Sequence, residues 1–159
     1  MNRNEFDLIV ERQIERVREL IPDELLPDLP ALQGFPDVPG WHDFEHLIWQ
    51  IGEEIRQLIH HEKKELNRKQ TDEILSICAN TNVKRGRESF VMLLGKKRYA
   101  EYAPQLVELL HDKYVDGHVV DTLYKMGAPN YALEITPFLS YNRTWIRNAA
   151  KKYLQKYGN

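Results

Sequence analysis

The sequence predicts an all-α chain: a single-domain helical-hairpin solenoid over residues 83–158, preceded by an extra N-terminal helical region over 1–82. Three observations lead there. Apolar residues recur at three- and four-residue steps along most of the chain. Glycines follow several of these periodic runs, where helices end. From residue 83 the pattern repeats at an interval of about thirty residues, the mark of stacked helix pairs.

Residues 5–21 predict the first helix, with Phe6, Ile9, Val10, Ile14, Val17, Leu20 and Ile21 recurring at three- and four-residue steps, Asn4 as N-cap and Pro22 as stop. Residues 22–40 hold five of the eight prolines, two glycines, four acids and no base, which forbids a long helix. Leu25, Leu26, Leu29, Leu32, Phe35 and Val38 interrupt them, so an extended segment is expected, with Leu26, Leu29 and Phe35 packed on the body. A long helix is predicted from Trp41 to about Leu66, with Phe44, Leu47, Ile48, Ile51, Ile55, Leu58 and Ile59 as one apolar stripe, and another around 70–80, followed by a turn at Asn80–Asn82.

A shift of 32 then pairs Val91 with Leu123, Leu94 with Met126 and Gly95 with Gly127. A further shift of 31 pairs Val115 with Ile146, Leu123 with Leu154 and Gly127 with Gly158. Val91, Leu94, Leu123, Met126 and Leu154 are therefore expected in equivalent buried layers. Each unit reads as a helix closed by Gly, a short turn, and a second helix holding Pro104 or Pro137.

The run Trp145-Ile146-Arg147-Asn148-Ala149-Ala150-Lys151-Lys152-Tyr153-Leu154 resembles the apolar–Arg–x–Ala–Ala–x–x–x–Leu core of a HEAT-like repeat. It is similar to the short variety of phycobilisome-lyase-type and bacterial HEAT-like proteins, over about residues 83–158. Arg147 carries the motif's arginine in the last unit, whereas Asp116 stands in its place in the second. The resemblance implies a curved binding scaffold, and a scaffold does not fix a function.

At 159 residues, 42% apolar and 29% charged, the chain is sized for one soluble domain with its own core. One cysteine, Cys78, excludes an internal disulfide framework and a four-cysteine zinc module. No apolar run reaches the ~20 residues of a membrane helix, and the charged N-terminus carries no secretory pattern, so a cytoplasmic location without a membrane partner is expected. Net charge is −2, but residues 1–82 balance to −8 and residues 83–159 to +6. Such a dipolar molecule offers different ends to different partners.

Catalytic signals are sparse. His42-Asp43-Phe44-Glu45-His46 matches the zinc-binding H-x-x-E-H spacing, but a third acidic ligand and the length of such proteases are missing. The better reading is a helix start whose acids suit the dipole. Glu108–His111 has the E-x-x-H spacing of di-iron bundles, without the second copy such sites need. Cys78 lies in an apolar stretch, no serine has the G-x-S-x-G setting, and phosphate-binding glycine loops are absent. No enzyme, metal or cofactor is expected.

The expected function is non-catalytic binding of a protein, most specifically an immunity protein that neutralises a cognate toxin domain by covering its active site. Acidic residues near aromatic anchors would mimic the phosphates of a nuclease or nucleotide-binding cleft: Asp37 and Asp43 beside Trp41, and Asp112, Asp116 and Asp121 around Tyr114. An opposing basic edge, with Arg143 and Arg147 near Tyr141 and Trp145, is the second surface, suited to an acidic partner. The alternative is a nucleic-acid-binding HEAT-like protein using the basic C-terminal half, where all eight tyrosines fall. A lyase or metal enzyme is a third reading, testable by chromophore or metal on purification.

Overall fold

The first helix, α1 (Arg3–Leu20), starts earlier than Asn4 because Asn2 and Glu5 form a reciprocal capping box, each side chain accepting from the other's backbone N–H at 2.9 Å. In the computed structural model, which describes residues 1–158 apart from the side chains of 35–37, the chain is 72% helical, so the all-α class holds. Two compact units are distinguishable, Met1–Phe90 and Val91–Asn159.

In the first unit, α1 buries Phe6, Val10, Ile14 and Val17 against α2 (Asp43–Glu62), which turns Ile48, Ile51, Ile55 and Ile59 inward. Leu47, part of the predicted stripe, is 47% exposed instead. α2 ends at Lys63 in the left-handed conformation (φ 52°), and α3 (Arg68–Ala79) starts from an Asn67–Gln70 capping box. Thr81–Arg87 follows as a 3-10 segment packed on α2. Residues 83–90, which the repeat pattern groups with the C-terminal half, therefore belong to this unit.

The proline-rich segment departs from expectation in two ways. It folds into a small antiparallel hairpin, β1 (Ala31–Leu32) and β2 (Phe35–Pro39), turned by Gly34 at φ 83°, a conformation that costs glycine nothing. Its leucines are also not core residues: Leu25 and Leu32 are about half exposed, Leu29 is 37% exposed, and only Leu26 is half-buried. The packing expected of Phe35 falls outside the described residues. Polar bonds hold the segment: Lys84 Nζ to Asp28 at 2.6 Å, Asn82 Nδ2 to the Pro22 carbonyl at 3.1 Å, and His42 Nε2 to the Pro27 carbonyl at 2.8 Å.

The short helix α4 (Glu88–Leu93) crosses into the second unit. There a 3-10 turn (Lys97–Tyr102), α5 (Ala103–Val107) and a second 3-10 turn (Glu108–His111) form one helical stretch. α6 (Asp116–Met126) follows, then α7 (Ala132–Ile135) with a 3-10 extension to Ser140, and finally α8 (Thr144–Tyr157). Pro104 and Pro137 sit in the first turns of their segments, where the missing N–H is harmless. α6 packs against both α5 and α8.

The alternation of helix, glycine and second helical stretch is present, and no strand falls in 83–158 among the described residues. Val91, Leu94, Leu123 and Met126 are buried as expected. Leu154 is not: it is half-buried, and Tyr153 takes the core position with Ile146, Ala149 and Ala150. Of the three helix-ending glycines, only Gly127 adopts the left-handed cap (φ 68°).

Candidate functional site

The starts of α6 and α8, with the loops entering them, hold seven of the predicted residues. Asp112 organises the approach to α6: its carboxylate accepts from the Tyr114 N–H at 3.0 Å and its carbonyl from the Asp116 N–H at 2.9 Å. Asp116, at the first position of α6, is only 4% exposed. Its carboxylate accepts from the Gly117 N–H at 2.7 Å and from the hydroxyl of Tyr141.

Burial raises the Asp116 pKa, opposed by the hydrogen bonds from Tyr141 and Gly117 and by the nearby charge of Arg143. Burial, with the bond to Asp116, pushes the Tyr141 phenol up to about 12. Tyr141 also rests on Phe138, with ring centroids 4.7 Å apart. Arg147 stitches the loop entering α8, donating to the Tyr141 carbonyl at 2.6 Å and to the Thr144 hydroxyl at 2.9 Å.

Trp145 crowns this arrangement. His118 lies against its ring at 4.9 Å and the Arg143 guanidinium over it at 5.3 Å. Beneath it, Gly117 permits the contact: a Cβ there would come within 2.7 Å of both Trp145 and Ile146. The indole is thus fixed on three sides and still 38% exposed.

Two expectations need correction. Asp116 is not a surface acid for a partner, because Tyr141 and the Gly117 N–H enclose its carboxylate. Nor does the basic edge oppose the acids around Tyr114, since Arg143, Trp145 and Arg147 converge on the same helix starts as Asp112 and Asp116. Asp121 sits farther along α6, paired with Lys125 at 2.8 Å, and Tyr114 is half-buried under Lys113. Gly117 and His118 were missed. The sequence signal for them is a small residue just inside a helix start, which permits close approach of another side chain.

In the first unit, Trp41 is half-buried between His46, at 4.9 Å, and the Arg85 guanidinium, at 4.9 Å. Asp43 is exposed at the start of α2, and the Asp37 side chain lies outside the described residues. In the H-x-x-E-H run, Glu45 is buried and spends both carboxylate oxygens on backbone donors, from His42 at 2.6 Å and from Arg85 at 2.9 Å. Glu45 is a structural cap there. Glu108 and His111 are both exposed on their 3-10 turn. Among the described residues no three His, Cys, Asp or Glu side chains converge to hold a metal ion. Burial raises the Cys78 thiol to about 12, far from a nucleophile's range. No described helix is long and apolar enough to cross a membrane.

Comparison with protein-family models, curated proteins and solved structures finds no match to the chain.

Proposed function

We propose that this chain is a non-catalytic protein-binding module, with a HEAT-like helix-pair scaffold as its frame and the Trp145 face as its contact surface. One observation carries the reading: Trp145 is held by His118, Arg143 and Gly117 yet keeps 38% of its surface open. Tryptophan and arginine dominate interface hot spots, and a side chain already fixed loses little entropy on binding. The finer reading is an immunity protein whose rigid face covers the active site of a toxin domain. Asp116 is enclosed and Asp121 is paired, which shifts the contact from the acidic set toward Arg143, Trp145 and Arg147.

The test is retention of a partner from the source cell by the full chain and by Trp145→Ala, followed by growth of cells producing that partner. Loss of both retention and protection in the variant supports the reading. A partner held equally by both forms removes Trp145 from the interface, and salt-sensitive binding to DNA without a protein partner favours the nucleic-acid alternative.

A further inference from the structure

We propose that the face shared by α6 and α8 docks an acidic helix of a protein partner, with Trp145 as its apolar anchor and Lys152 and Lys156 pairing with its carboxylates. This rests on the protein-binding reading above and names the partner's chemistry.

Burial of Ile146, Ala149, Ala150 and Tyr153 leaves the flank of α8 beside that buried face open along its border with α6. Trp145, Lys152 and Lys156 are all exposed there, and their i, i+7, i+11 spacing sets them in one row. α6 borders that row at both ends, with His118 against Trp145 at 4.9 Å and Tyr124 beneath the Lys156 ammonium at 5.7 Å. The row is therefore an aromatic strip carrying two cations.

No acid within α8 itself offsets this charge. From Ile135 to Asn159 the sequence has five Lys or Arg and no Asp or Glu. Lys152 makes no ion pair among the described residues, and Lys156 makes only ring contacts. Arg143 and Arg147 even stand at the start of α8, with no acid in its first turn, against the helix dipole. An acidic surface completes this field.

Spacing selects a helix. A rise of about 1.5 Å per residue puts Lys152 and Lys156 about 6 Å apart along α8, the step between carboxylates at i and i+4, and Trp145 about 10 Å from Lys152. A single-stranded nucleic acid would need Trp145 as a stacking platform. His118 and Arg143 already engage that ring, so a base would have to displace one of them.

The experiment measures fluorescence anisotropy of a labelled helical peptide of about twenty residues, with Glu at i and i+4 and Leu one heptad away. Controls are the same peptide with Gln for Glu, the same with Lys for Glu, and a single-stranded DNA 20-mer. The full chain is expected to bind the Glu peptide about tenfold or more tighter than the Gln peptide, by charge complementarity. Lys152→Glu/Lys156→Glu is expected to lose that peptide and gain the Lys peptide. Trp145→Ala should weaken binding at every salt concentration, with thermal unfolding reporting that each variant is folded. Equal affinity for Glu and Gln peptides, indifference to the double charge reversal, or tighter binding of the DNA would overturn the proposal. A cellular partner lost with Trp145→Ala but kept by the charge-reversed chain would sink the acidic helix alone. Peptide binding as expected, with no protein partner in the cell, would sink the proposed function and leave this surface standing.

Discussion

The hydroxyl of Tyr141 donates to the buried carboxylate of Asp116, tying the loop before α8 to the first turn of α6 across 25 residues of sequence. The bond holds the chain three residues before α8 starts and four before Trp145. Burial raises the Asp116 pKa above its ordinary value of 3.8, so the folded chain holds that proton more tightly than the unfolded chain. The stability that Asp116 contributes is then present below 3.8 and lost as pH rises through its folded-state value.

Asp116→Asn keeps the side chain neutral throughout that interval. The difference between its urea midpoint and the wild type's should therefore shift in the variant's favour as pH rises above 3.8. Parallel slopes in the two proteins would contradict the assignment.

Gly117→Ala places a Cβ within 2.7 Å of Trp145 and Ile146. Alanine's helix preference returns at most about 1 kcal/mol, while overpacking costs about 1–3 kcal/mol. The net effect is destabilisation, read by thermal unfolding, with a changed near-ultraviolet circular dichroism signal from a displaced indole. A more stable protein with an unaltered signal would show that Trp145 does not rest on Gly117.

Asp28→Asn weakens the 2.6 Å pair to Lys84, whose side chain is only 2% exposed and whose backbone holds φ 53°. A charged hydrogen bond of this kind contributes about 1.5–3 kcal/mol, and the partial exposure of Asp28 places the loss at the lower end. Limited proteolysis should cut residues 22–40 faster in this variant than in Asp23→Asn. Equal rates would mean that the other two anchors suffice.

Leu123→Ala removes a fully buried side chain and should cost about 2–5 kcal/mol. Leu154→Ala, at a half-buried site, should cost clearly less by chemical denaturation. Equal losses would restore Leu154 to the core layer.

The helices were legible where apolar periodicity was strong, as in α1 and α2, because burial of one face enforces it. Their ends were less so. Asn2 caps α1 in place of Asn4 because Glu5 lies at the third helical position from Asn2, and that reciprocal pair decides the start. Aligning glycines put Leu154 in the core. Packing follows the three- and four-residue steps from Ile146 instead, which lead through Ala149 and Ala150 to Tyr153. At the candidate site, Arg143, Trp145 and Arg147 were visible as an aromatic and basic cluster. That Asp116 is enclosed was not, since only the folded chain brings Tyr141 to it.

The hairpin segment also has a thermodynamic character of its own. Asp28, Pro22 and Pro27 anchor it through polar bonds, and Leu25, Leu29 and Leu32 are already about a third to a half exposed, so its detachment uncovers less apolar surface than opening of the fully buried face of α2. Denaturants act in proportion to surface uncovered, so opening of this segment should respond to them less than opening of α2 does. The Gly40 amide, bonded to the Pro30 carbonyl at 2.9 Å, should then exchange with solvent at a rate that climbs only gently in dilute urea. Amides in α2 should accelerate steeply over the same range, so the two parts of one unit unfold as separate events.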